Sequence, residues 1–128
     1  MTKLKWILVF FMVASFLLVG WTSKEGELTK AVKKGNNVTV ESLLNQGVSP
    51  NIRVSHGQTL LMVAAAKNYL AVAKLLLENG ADKEAVDHNG KTALLIAREK
   101  CEVEMVILLS SWGRVVPKQT PPQSESTE

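Results

Sequence analysis

Residues 57–82 read GQTLLMVAAAKNYLAVAKLLLENGAD, and one step of 33 residues later the chain repeats itself as GKTALLIAREKCEVEMVILLSSWG over residues 90–113. The step recurs throughout: Gly47, Gly80 and Gly113; Leu28, Leu61 and Leu94; Ala31, Ala64 and Ala97; Leu43, Leu76 and Leu109. Chance does not align this many positions in one chain of 128 residues. Each unit reads as a pair of helices. Thr59 and Thr92 stand before apolar runs, where a hydroxyl can accept from the orphan amides of a first helical turn. Leu61, Ala64 and Ala65 recur at helical spacing and predict one narrow apolar face, with small alanines letting the paired helices approach closely. Leu75, Leu76 and Leu77 are expected to fill the space between units, and Gly80 to end the second helix in a left-handed conformation. Asp82 then falls in a turn whose backbone amides its carboxylate can accept from. One such pair cannot cover its own apolar surface, so burial has to come from stacking on neighbours.

Working outward, residues 28–51, LTKAVKKGNNVTVESLLNQGVSPN, form an abbreviated first unit that lacks the threonine motif. A 33-residue period with this motif resembles the ankyrin-repeat family, whose units pass from G-x-T-P-L-H-x-A-A to L-L-L-x-x-G-A-D. The resemblance covers about residues 27–113 and identifies the chain as similar to short exported bacterial ankyrin-repeat proteins. It implies an all-α fold, a solenoid of about three helix-turn-helix repeats over 24–114, at about 24–53, 54–86 and 87–114. Where the family has proline and histidine, this chain has Leu60 and Ala93, and Met62 and Leu95. The family's hydrogen bonds from that histidine are therefore absent.

The flanks differ in composition. Terminal repeats of a solenoid need polar outer faces. Lys30, Lys33, Lys34 and Glu41 at one end, and Arg98, Glu99, Lys100, Glu102 and Glu104 at the other, predict capping and a stack complete at three repeats. After Trp112 the chain runs GRVVPKQTPPQSESTE, which predicts a disordered tail over 115–128. Before the repeats, Lys3 and Lys5 precede WILVFFMVASFLLVGW, sixteen uncharged residues from Trp6 to Trp21. That pattern predicts a signal or anchor helix over 1–23. The short apolar run favours a cleaved signal peptide, since a spanning helix prefers about 20 apolar residues. The poor cleavage site, with Leu18 two residues before Gly20 or Trp21 two before Ser23, favours an uncleaved membrane anchor. Either way the two lysines place the rest of the chain outside the cytoplasm: periplasmic or secreted if the leader is cut, anchored through residues 6–21 if it is retained.

Nothing in the sequence predicts an enzyme. Gly57 and Gly90 are isolated turn glycines, not a phosphate loop. His56 and His88 have no partner at metal-ligand spacing, and the single cysteine, Cys101, has neither a disulfide partner nor an evident activating group. No cofactor is implied. The net charge is +3, and losing Lys3 and Lys5 with the leader takes it to +1. So small a surplus points away from nucleic acid.

A protein partner is what the resemblance implies, held on the concave face formed by turn tips and first helices. By that resemblance the tip positions are Ser55, His56, Gln58, His88, Asn89 and Lys91. The first-helix ends are Lys33 with Lys34, Ala66 with Lys67, and Glu99 with Lys100. Lys34, Lys67 and Lys100 also recur at the 33-residue step and predict a ladder. Two readings of it stand side by side: cations complementing helix dipoles, and a face for an acidic partner. The histidines likewise read either as ordinary turn residues or as pH sensors. The expected function is protein binding outside the cytoplasm, as an immunity or accessory protein, with a membrane-tethered scaffold as the alternative.

Overall fold

The computed structural model describes residues 3–113; the side chains of 11–23 lie outside the description, as do residues 1–2 and 114–128 and with them the tail expected at 115–128. Six α-helices follow in order: α1 (Lys3–Lys34), α2 (Asn37–Asn45), α3 (Leu60–Ala66), α4 (Leu70–Glu78), α5 (Ala93–Glu99) and α6 (Val103–Ser111), with a 3-10 turn at Ser55–Gly57. No strand occurs among the described residues; one isolated bridge joins Arg53 to Thr59.

Helices pair within a unit, α1 with α2, α3 with α4 and α5 with α6. They also stack between units, α1 on α3 on α5 in one layer and α2 on α4 on α6 in the other. Every element therefore has its neighbours one repeat away, as stacking requires. Local signals start and stop the helices. Thr59 Oγ1 accepts from the Met62 amide and Thr92 Oγ1 from the Leu95 amide, both at 3.3 Å. The Thr59 amide in turn donates to Met62 Sδ at 3.4 Å, so the sulfur standing where the family has histidine supplies one weak acceptor. Asp82 Oδ1 accepts from the Glu84 amide at 2.9 Å, the turn bond that its position predicts. The turns between paired helices pass through Gly35, Asn68 and Cys101, with φ of 70°, 57° and 58°. Gly35 needs its missing side chain twice over, because a Cβ there would lie 2.9 Å from the Tyr69 ring.

Packing is broader than a stripe. All of Leu60, Leu61, Met62, Val63, Ala64 and Ala65 are buried, because α3 has α1 on one side, α5 on the other and α4 behind. The narrow apolar face expected of this helix is thus replaced by near-complete enclosure. Leu76 and Leu77 are buried between layers, and Leu75 is half-buried against the core.

The two ends of the stack differ. Lys30, Lys33, Lys34 and Glu41 are exposed, as expected of a polar first repeat. At the other end Arg98 is exposed, but Leu95 is 41% exposed where its counterpart Met62 is 1%. Leu94 and Val106 are only half-buried. The polar cap expected of the last repeat is therefore incomplete: the residues that α3 hides against α5 have equivalents in α5 that keep their leucines.

The boundary expected at 23/24 falls inside α1, which runs through it without a break. Leu28, Ala31 and Val32, near its end, are buried in the stack. Near its start, Leu4, Trp6, Ile7, Leu8, Val9 and Phe10 are exposed. Among the described residues no helix is long and apolar enough to cross a membrane; most of the apolar leader has its side chains outside that set.

Candidate functional site

The turn tips are built by long-range bonds one repeat apart. Arg53 Nη1 donates to the carbonyls of Gly57 and Val86, each at 2.8 Å, and so ties the first tip to the second. Asn51 Nδ2 donates to the Gly80 carbonyl at 3.2 Å, and its Oδ1 accepts from the Asp82 amide at 2.8 Å. The His88 amide donates to the His56 carbonyl at 3.1 Å. His56 itself sits at a positive φ of 62° inside the 3-10 turn that carries Ser55. Neither Arg53 nor Asn51 stands out in the sequence. The signal that marks Arg53 is its distance of one full period from Val86.

The second tip depends on Asp87. Its buried carboxylate accepts from the amides of Asn89 at 2.8 Å and Lys91 at 3.0 Å. The Lys91 amide above all holds the carboxyl below the usual carboxylate range; burial opposes this, and the Asn89 amide and the Lys91 and His88 side chains reinforce it. This is the turn that presents His88, Asn89 and Lys91.

Of the nine residues expected to bind a partner, three line one groove. Ser55, Gln58 and Lys67 come together with Lys33, Val54, Val63 and Ala66 around a groove of about 280 Å³ between the first and second repeats. Lys33 comes from α1, and Val63 and Ala66 from α3. The lining combines two cations with three apolar side chains and contains no carboxylate. One repeat further on, the equivalents of Gln58 and Ala66 are Lys91 and Glu99, and these close on each other at 2.7 Å. Lys91 is therefore engaged within the chain, and the second interval carries its own counter-charge.

His88 is also committed in part: a Cβ on Gly57 would lie 2.5 Å from its ring, so the imidazole rests against bare backbone. His56 and Asn89 are exposed at the tips. The lysine series sits at helix ends, Lys34 closing α1 and Lys67 and Lys100 at the C-caps of α3 and α5. All three are exposed. Such positions complement the helix dipole. Lys67 differs from the others in standing 5.9 Å from the centroid of the Tyr69 ring. Val54 and Val63, which line the groove, carry no signal in the sequence because they look like ordinary core residues. Among the described residues no cluster of His, Cys, Asp or Glu could hold a metal ion.

Known proteins carry similar sequence over these repeats. A family model described as ankyrin repeats, in three copies, matches residues 28–119. Over 97 residues the chain is 31% identical to ankyrin repeat and KH domain-containing protein mask-1 of Caenorhabditis elegans, covering 76% of this chain and 4% of that protein. It is 35% identical over 91 residues to potassium channel KOR2 of Oryza sativa subsp. japonica, covering 71% of this chain and 12% of the channel. With human M-phase phosphoprotein 8 it shares 40% identity over 75 residues, 57% of this chain and 9% of that protein. The chain thus spans only a small part of each of these relatives. Ankyrin repeats generally mediate protein–protein interaction and are typically non-enzymatic. With the family model covering most of its length and the stacked helix pairs bearing it out, the chain belongs to the ankyrin-repeat family.

Proposed function

We propose that this chain holds a segment of a protein partner in the groove between its first and second repeats, and that it does so outside the cytoplasm as an accessory or immunity protein. The observation that carries the reading is the groove's composition. Val54, Val63 and Ala66 offer apolar contact, Ser55 and Gln58 offer hydrogen bonds, and Lys33 and Lys67 flank them with no carboxylate in the lining. Such a surface favours a partner segment that combines apolar side chains with acidic ones, because complementary charge steers encounter and rejects cationic competitors. An immunity role is the form of this reading in which the acidic segment belongs to the partner's own active site. Export is supported by the leader, two lysines followed by sixteen uncharged residues.

The test places a photo-crosslinking amino acid at Gln58 or Ala66 in the groove, or at Ser42 on the exposed side of α2, in the native host. A single partner adduct from the two groove positions and none from Ser42 is the expected result. Equal yield from Ser42 would move the site off this face. A second reading, a membrane-tethered scaffold that recruits its partner to the bilayer, is favoured by the unbroken course of α1 from the leader into the first repeat.

A further inference from the structure

We infer that α1 is a single uncut helix, anchored in a lipid bilayer through residues 6–21 and continuing as the inner helix of the first repeat, so that the groove stands at a fixed height above the membrane. The inference rests on the tethered form of the function proposed above and adds to it a geometry.

Three observations carry it. The first is the absence of a joint. Backbone helix runs from Lys3 to Lys34, through both positions where a signal peptidase would cut, after Gly20 or after Ser23. Neither position has small residues both one and three places before the cut. The second is the surface of the helix start. Trp6, Ile7, Leu8, Val9 and Phe10 are consecutive and 53–76% exposed. Five consecutive positions at 3.6 residues per turn cover every direction around the axis. A protein groove covers one side of a helix, whereas an element apolar all round needs an apolar solvent on every side. Lipid is the occupant that meets this requirement.

The third is the arrangement of the ends. Trp6 and Trp21 close the uncharged run, Lys3 and Lys5 lie before it and Lys24 after it. Tryptophans belong at the two membrane–water interfaces and lysines beyond them. The run is about 24 Å long at 1.5 Å per residue, somewhat short of a typical hydrocarbon core of about 30 Å. Local thinning and lysine snorkelling absorb a mismatch of that size.

The consequence concerns the site. Lys33 in the groove wall is on α1 itself, twelve residues past Trp21, and so no more than about 18 Å above the interface. Between them the helix continues unbroken while its surroundings change: Lys24 and Glu27 are exposed and Leu28 is buried. A partner segment seated beside Lys33 is then one that lies close to the bilayer surface.

The experiment uses the full chain. Intact mass of the protein recovered from host membranes should include Met1 or its immediate neighbour, and alkaline washing should not release it. A chain starting at 21 or 24 in the soluble fraction would overturn the inference while leaving the groove proposal standing. The chain is next reconstituted in vesicles of phosphatidylcholine and phosphatidylglycerol, with a fluorescent donor at position 34 and acceptors in the headgroups. A narrow donor–acceptor distance is expected, and it should broaden when four glycines are inserted after Ser23. A broad distance in the parent would overturn the rigid coupling. Failure of the groove crosslinks in the same membrane-bound protein would sink the binding site alone.

Discussion

Cys101 occupies the left-handed turn position that its two predecessors fill with Gly35 and Asn68. Left-handed backbone costs an L-residue about 1–2 kcal/mol, and glycine avoids most of that at the expense of greater chain entropy. Cys101→Gly is therefore expected to stabilise the domain by about 0.5–1 kcal/mol. Urea midpoints of the two forms check this, and an unchanged or lower midpoint would mean that the thiol makes a compensating contact. Asp87 supplies a pH-dependent counterpart. Its carboxyl is held below the ordinary range by the Lys91 amide. A group depressed in the folded state stabilises fully above its unfolded pKa, and that contribution disappears as pH falls through the lowered folded value. The parent should thus lose stability across the acid side of the carboxylate range. Asp87→Asn should be less stable at neutral pH, show a flatter acid limb and meet the parent curve at the acid end. Parallel curves in a pH series of melts would remove Asp87 as the cause.

At the scale of the element, the same residue type has different worth in the middle and at the end of the stack. Leu76 in α4 is 0% exposed, whereas Leu95 in α5 is 41% exposed. Truncating the first, Leu76→Ala, is expected to cost about 2–5 kcal/mol, the transfer term plus a cavity. Leu95→Gln is expected to stay within about 0.5 kcal/mol of the parent, as surface changes do. Denaturant melts of both variants decide this. A large loss at Leu95 would show that something covers the end of the stack. The helices themselves are legible in the sequence: threonine caps, the glycines after the second helices and the leucine spacing mark α3 to α6. What misleads is periodicity at α3, which reports one apolar face and cannot report that neighbours close in from three sides. The end of the stack misleads for a related reason, since Arg98 and the glutamates nearby suggest a polar cap while Leu94 and Leu95 remain on the same helix.

At the scale of the molecule, charge is distributed unevenly along the turn tips and first helices. The first interval has Lys33 and Lys67 with no carboxylate in its lining, and the second is neutralised by Lys91 and Glu99. The steering cations are therefore expected to be the first pair, not the whole series of Lys34, Lys67 and Lys100. Lys33→Gln with Lys67→Gln should slow association with the partner several-fold and weaken its salt dependence, because exposed charges act mainly on encounter. Lys91→Gln with Glu99→Gln removes a pair with no net charge and should leave association nearly unchanged. Surface-capture kinetics at two salt concentrations separate these outcomes, and equal slowing in both double variants would refute the assignment.

The repeat period, the helix pairs and the order of the stack are determined by sequence alone, because each is a local pattern restated every 33 residues. The family resemblance also places Ser55, Gln58 and Lys67 on tips and helix ends. Only the tertiary structure decides which of the nine expected residues share a site. That choice depends on contacts within and between repeats: Glu99 reaching Lys91, His88 lying against Gly57, and Val54 and Val63 lining a groove with Lys33. A repeat pattern specifies what every unit has in common. Pairing across the interval depends on how one unit differs from the next, and those differences meet only when the chain is stacked.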